Sequence, residues 1–142
     1  MTTETKTVTI KRSFNASPER VFDAWIDPTI APRFLFAKPP GEIIRCDIDA
    51  RPGGKYVITR RDENGETEHV GEYEVVDRPK RLVFTFGVPR IAQQMSRVVI
   101  QITPTANGCE LTLTNEDVLS EWADRTTEGW TMILENEAKA LG

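Results

Sequence analysis

The stretch Glu42–Val76, EIIRCDIDARPGGKYVITRRDENGETEHVGEYEVV, decides how this chain folds. Ile43–Asp49, Lys55–Arg61 and His69–Val76 read as strands, each carrying the period-two alternation of a segment with one buried face. Pro52-Gly53-Gly54 separates the first two, and its glycine pair supplies the positive φ of a tight reversal. Asn64-Gly65 separates the second and third and is a strong hairpin signal. The three segments are therefore the start of an antiparallel meander.

Working outward, Asp77-Arg78-Pro79-Lys80 turns the chain into Leu82–Phe86. Arg97–Thr103 and Cys109–Asn115 follow, joined through Pro104-Thr105-Ala106-Asn107-Gly108, whose Asn-Gly again fits a hairpin. The pattern then changes period. From Ser120 to Leu141, apolar residues at Trp122, Trp130, Ile133, Leu134, Ala138 and Leu141 fall on one helical stripe, with Glu135 and Lys139 four apart on the wet side.

Upstream of the meander, Thr7–Phe14 alternates with Val8, Ile10, Arg12 and Phe14 on one side, which predicts a first strand. Ser17-Pro18-Glu19 reads as a helix start: a hydroxyl N-cap, proline where no N–H is missed, and an acid at the positive dipole end. Val21, Phe22, Trp25 and Ile26 form the apolar stripe of that helix, and Asp27-Pro28 ends it because the residue before proline is pushed out of the α region. Pro32 limits any helical turn that follows. The order is a strand, a helical excursion, about six antiparallel strands and one long helix, without repeats or low-complexity linkers. It predicts an α+β fold in which a curved antiparallel sheet wraps around the C-terminal helix. Read inward, the sheet is expected to contribute Ile44, Cys46, Ile48, Tyr56, Ile58, Tyr73, Val75, Leu82, Phe84, Phe86, Val98, Ile100 and Ile102, facing Trp130, Ile133 and Leu134.

With this order of elements, the residues Ser17-Pro18-Glu19-Arg20-Val21-Phe22-Asp23-Ala24-Trp25-Ile26-Asp27-Pro28, the turn Asp49-Ala50-Arg51-Pro52-Gly53-Gly54, Gly71-Glu72-Tyr73-Glu74-Val75, Arg81-Leu82-Val83-Phe84-Thr85 and Gly129-Trp130 resemble the family named for the activator of the Hsp90 ATPase. That family is a branch of the START-like, SRPBCC, helix-grip superfamily that includes the birch-pollen allergen. Each motif alone is common; several in the right order are specific. The chain departs from the family pattern where Phe34-Leu35-Phe36 stands in place of a tryptophan that often follows the helical excursion. It departs again at Asn115, where a histidine often ends the last strand.

Composition bounds the rest. A chain of 142 residues suits one domain over 1–142 and is long enough to bury roughly two-thirds of its unfolded surface. The net charge of -4 gives no basic footprint for nucleic acid. The start MTTETKTVTI lacks an apolar signal core, and no apolar run approaches the ~20 residues of a bilayer span, so no membrane association and a cytoplasmic location are expected. Cys46 and Cys109, far apart in strand-like segments, suit free thiols in a reducing compartment. One histidine, His69, and two distant cysteines do not make a metal site, and no cofactor motif appears.

Helix-gripping sheets commonly leave an apolar cavity, so the candidate ligand-binding residues are Trp25, Phe34, Phe36, Tyr56, Ile58, Tyr73, Phe84, Phe86, Trp130 and Ile133. The competing expectation is that the same side chains fill the interior completely. Trp25, Phe34 and Phe36 stand apart because the helical excursion often forms the entrance of such folds. Acid-base chemistry would draw on Tyr56, Tyr73, Arg60 or Glu137. Binding of an apolar or amphipathic small molecule, rather than catalysis, is the expectation. A co-chaperone-like interaction module, implied by the resemblance, and a cavity enzyme of cyclase or hydrolase type are the alternatives. A chaperone protein is the macromolecular partner implied, and either a monomer or a homodimer is compatible.

Overall fold

The computed structural model describes residues 4–36, 41–90 and 95–141. Strand β1 (Thr5–Phe14) leads into helix α1 (Pro18–Ile26) and a 3-10 turn (Ala31–Arg33). Strands β2 (Glu42–Ile48), β3 (Lys55–Asp62), β4 (Gly65–Asp77), β5 (Arg81–Phe86), β6 (Ser96–Thr105) and β7 (Gly108–Leu119) follow. A second 3-10 turn (Ser120–Trp122) opens helix α2 (Ala123–Leu141). The seven strands form one antiparallel sheet in the order β1-β7-β6-β5-β4-β3-β2. Because β1 and β2 lie on opposite edges, the α1 segment between them must cross from one side of the sheet to the other.

Local chemistry explains α1. The Ser17 hydroxyl accepts the Arg20 N–H at 3.2 Å, and Pro18 occupies the first turn. Val21, Phe22, Ala24 and Trp25 are the buried face. After Asp27, whose carboxylate accepts from the Thr29 N–H at 2.8 Å, the chain manages only the short turn that Pro32 allows.

Register shifts between Lys6 and Val8, between Ile43 and Arg45, and between Tyr73 and Val75 mark irregularities in β1, β2 and β4. Each bulge bends its strand and raises the local twist, curving the sheet. Two of them also correct the inward list. Past the irregularity in β2 the alternation changes phase, so Ile43, Cys46 and Ile48 pack against the core while Ile44 is 39% exposed. In β4 the same effect puts Val76, not Val75, against the core beside Tyr73. Strict period two fails wherever one extra residue interrupts the ladder.

On the concave face, Tyr56, Ile58, Tyr73, Leu82, Phe84, Val98, Ile100, Ile102, Leu111 and Leu113 are buried. Helix α2 lies there and buries Trp130, Leu134 and Glu137; Trp122 is left half-buried in the 3-10 turn. Two indole N–H groups fasten the helix. Trp130 Nε1 donates to Asn115 Oδ1 on β7 at 2.9 Å, and Trp25 Nε1 on α1 donates to Glu137 Oε1 at 3.1 Å. Asn115 is held in turn, its amide nitrogen donating to Ser96 Oγ at 3.0 Å and to the Arg97 carbonyl at 3.1 Å. Arg20 reaches from α1 to the Leu141 carbonyl at 2.9 Å, placing a cation at the negative end of α2.

Glu137 is the one charged residue type wholly inside this packing among the described residues. Its Oε2 has no hydrogen-bond partner among them, and desolvation pushes its carboxyl well above the ordinary value, so the neutral acid is favoured. The unfolded chain loses that proton above about pH 4.5 while the folded chain keeps it, so this group's contribution to stability falls as pH rises. Glu137→Gln keeps an acceptor for Trp25 and cannot ionise. In urea unfolding the variant should match the parent near pH 4 and exceed it by a margin that grows above pH 5, by at most about 1.4 kcal/mol per pH unit, until the folded carboxyl itself ionises. A margin independent of pH would contradict a neutral Glu137.

Candidate ligand-binding cleft

The interior between sheet and helix is filled. Trp25, Leu35, Phe36, Tyr56, Ile58, Tyr73, Leu82 and Phe84 surround a void of only about 10 Å³, no more than a water's worth of room. Their rings are in mutual contact: Trp25 meets Phe34 edge-on at 5.5 Å, Tyr56 meets Phe84 edge-on at 5.6 Å, and Tyr56 and Tyr73 lie 5.5 Å apart. Tyr56 donates its hydroxyl to the Thr85 carbonyl at 2.8 Å, and burial pushes the pKa of both tyrosines up and disfavours their ionisation, so neither is poised as an acid or base.

Open space lies next to that interior. A cleft of about 620 Å³ runs between α2, strands β3 and β4, and the corner after the first 3-10 turn. Phe34, Phe36, Met132 and Ile133 give its apolar walls; Arg60, Thr67, His69, Arg125, Glu128 and Asn136 give its polar ones. Arg60 is tied by Nη1 to Asp62 Oδ2 at 2.6 Å. The Arg125 guanidinium lies 5.3 Å over the Trp122 ring. Gly129 sits in the middle of α2 facing this space, and a Cβ added there would meet nothing within 4 Å. Glycine inside a helix costs about 1 kcal/mol relative to alanine, so helix stability is forgone at a point where a side chain would narrow the cleft.

Of the residues singled out from the sequence, the structure brings Phe34, Phe36, Arg60 and Ile133 to this cleft, Phe34 being itself buried. Trp25, Tyr56, Ile58, Tyr73 and Phe84 belong to the packed interior, which Phe36 also lines. Phe86 borders a second, smaller groove of about 210 Å³ with Val118, Leu119 and Trp122. Trp130 is buried beneath the cleft, 5.9 Å from Phe36 and 5.5 Å from Phe86. Thr67, His69, Arg125, Glu128, Met132 and Asn136 were not expected as site residues. A signal existed: Arg125, Gly129, Met132 and Asn136 recur at helical spacing and form a stripe adjoining the buried one.

Two features of the cleft concern its corner. Phe36 has φ of 61°, a left-handed conformation that costs a bulky residue about 1–3 kcal/mol and persists only where surroundings hold it. His69 places Nδ1 3.0 Å from the Ile58 carbonyl, which can only accept; Nδ1 therefore carries the proton and Nε2 is left as an acceptor. Among the described residues, no group of three or more His, Cys, Asp and Glu could hold a metal ion, and no helix is long and apolar enough to cross a membrane.

Comparison with known proteins matches residues 15–142 to the family described as activator of Hsp90 ATPase homolog 1-like protein. Among solved structures, a protein from Chromobacterium violaceum is 22% identical with a TM-score of 0.84, over 94% of this chain and 95% of that one. An AHSA1-like protein from Aeromonas hydrophila is 21% identical with a TM-score of 0.83, over 96% and 92%. A Staphylococcus aureus protein of unknown function is 17% identical with a TM-score of 0.86, over 97% and 94%. Likeness at these identities establishes the fold. Comparison with curated proteins finds no match.

Burial lowers the His69 pKa from 6.5 to about 4. Between those values the unfolded chain binds the proton and the folded chain does not, so the group's contribution is present above pH 6.5 and is lost as pH falls, by about 3 kcal/mol in all. An NMR titration of the imidazole should give an apparent pKa near 4, and His69→Gln should flatten the acid limb of stability against pH. An imidazole titrating near 6.5 would show that the ring is solvated rather than packed.

Proposed function

The chain belongs to the family of activator of Hsp90 ATPase homolog 1-like proteins, and on that premise we propose that it binds an amphipathic small molecule in the cleft beside α2. The observation that carries this reading is the contrast in volume. The interior holds about 10 Å³, whereas the cleft holds about 620 Å³, within the 300–1,000 Å³ or so usual for ligand sites. Its apolar walls would take a hydrophobic body, and Arg60, Arg125 and Asn136 would orient a polar end.

Gly129 supports the reading, since a residue that weakens its helix while enlarging a concavity is what a binding site requires and a packed fold does not. A screen of lipids, polyketides and flavonoids by thermal shift should find a class that raises the melting temperature. Gly129→Leu should keep or raise stability, by up to about 1 kcal/mol, because leucine favours helix and its Cβ meets no neighbour within 4 Å there. The same change should weaken binding at least tenfold. Equal binding by parent and variant, or no stabilising ligand in any class, would sink the proposal.

A second reading follows from the family description, which names a chaperone activator. Met132, 44% exposed on the cleft lip, is the kind of adaptable apolar residue that protein partners contact. Pull-down and ATPase assays with an Hsp90-type chaperone test it, and an unchanged rate with no complex removes it.

A further inference from the structure

The sheet ends on β1 at one edge and on β2 at the other, and the two edges differ in charge. Strand β1 carries Lys6, Lys11 and Arg12 and no acid, so pairing with a second copy would bring only like charges together. Strand β2, EIIRCDI, carries both signs. Among the described residues β2 pairs with β3 alone, so every second residue turns an N–H and a C=O away from the sheet. The ladder says which residues these are. The Asp49 N–H donates to the Lys55 carbonyl at 3.1 Å, and Arg45↔Thr59 and Asp47↔Val57 stand in the same register, so Arg45 and Asp47 direct their backbone groups to β3. Cys46 and Ile48 therefore present theirs outward. Arg45 Nε meets Asp47 Oδ2 beside this edge, with 54% and 63% of the two side chains exposed.

We propose that β2 is an interface for a second copy of this chain, the two β2 strands pairing antiparallel about a two-fold axis at Cys46 and continuing one sheet across both protomers. The register shift between Ile43 and Arg45 ends the regular edge on one side and the turn after Ile48 ends it on the other, which leaves residues 44–48 to pair. An isologous antiparallel pair sets one residue opposite itself, with outward backbone groups facing outward ones, and charge decides which residue that is. An axis at Arg45 would oppose two guanidiniums, an axis at Asp47 two carboxylates, and an axis at Ile48 would set Asp47 against the partner's Asp49. With the axis at Cys46, Arg45 stands opposite the partner's Asp47 and Asp47 opposite the partner's Arg45. These are non-bonded positions, where facing side chains come closest. The Arg45–Asp47 contact within one strand is exposed and contributes little by itself, so each guanidinium joins a second carboxylate at small cost. Ile44, 39% exposed, is the large apolar side chain that β2 leaves in water, and the same register brings the partner's Ile48 opposite it. A run of about five residues is small for an interface, so the association is weak and salt-sensitive.

Sedimentation of the full chain at about 0.05 M salt should show a monomer–dimer equilibrium with a dissociation constant on the order of 100 µM, weakened severalfold at about 0.5 M salt. Arg45→Asp and Asp47→Arg, each checked for folding by circular dichroism, should each weaken self-association by about tenfold or more. Mixing these two variants should recover at least the parent's affinity, and the double variant Arg45→Asp/Asp47→Arg should recover it alone. Parent and double variant mixed should form no heterodimer, because the Cys46 axis then opposes arginine to arginine and aspartate to aspartate. On the parent itself, the Cys46 and Ile48 amides should exchange more slowly with solvent as concentration rises. A parent that stays monomeric up to about 1 mM at low salt would overturn the proposal. So would a dimer that both single variants retain in full, or one in which parent and double variant combine freely. Amides of Cys46 and Ile48 whose exchange ignores concentration would overturn it even if no variant folded.

Discussion

The position of α2 depends on two indole N–H groups. Trp130 bonds Asn115 on the last strand and Trp25 bonds Glu137 on the helix itself, so one tryptophan ties α2 to the sheet and the other ties it to α1. Both acceptors are buried, and a buried polar atom deprived of its partner costs more than an ordinary hydrogen bond contributes. The rotation of α2 about its axis is therefore specified by polar pairing as well as by apolar area. Trp130 and Leu134 could slide on a greasy surface; the Asn115 and Glu137 contacts cannot. Asn115 serves as the anchor for Trp130.

Once α2 is held in that rotation, its neighbouring stripe faces the gap beside β3 and β4. Arg125, Gly129, Met132 and Asn136 become the wall of a cleft because Trp130, Leu134 and Glu137 are already committed inward. The same constraint closes the interior. Rings from α1, the corner after it and the sheet fill the concave face down to a water-sized void, which moves the space available to a ligand outward. Phe34-Leu35-Phe36 completes the closure: Phe34 and Leu35 are buried, and Phe36 forms the boundary. Fold and site are thus parts of one packing solution, in which the volume that the core gives up reappears at the mouth.

Much of this was legible in the chain. Alternation in Ile43–Asp49, Lys55–Arg61 and His69–Val76, the Gly-Gly and Asn-Gly turns, the Ser17-Pro18 cap and the change to helical period after Ser120 determined the elements and their order, because strand, turn and helix preferences are set within a few residues. The motif set identified the family for the same reason, since it consists of those local signals. Three things were decided only by tertiary structure. Bulges after Ile43 and Tyr73 changed which side chains face inward, and a bulge depends on the pairing partner, not on the strand's own sequence. Glu137 became a buried, neutral acid because distant segments close over it, Trp25, 112 residues away, among them. The cleft arose where packing stops, and an empty volume is a property of how surfaces from distant segments fail to meet, which no local pattern encodes.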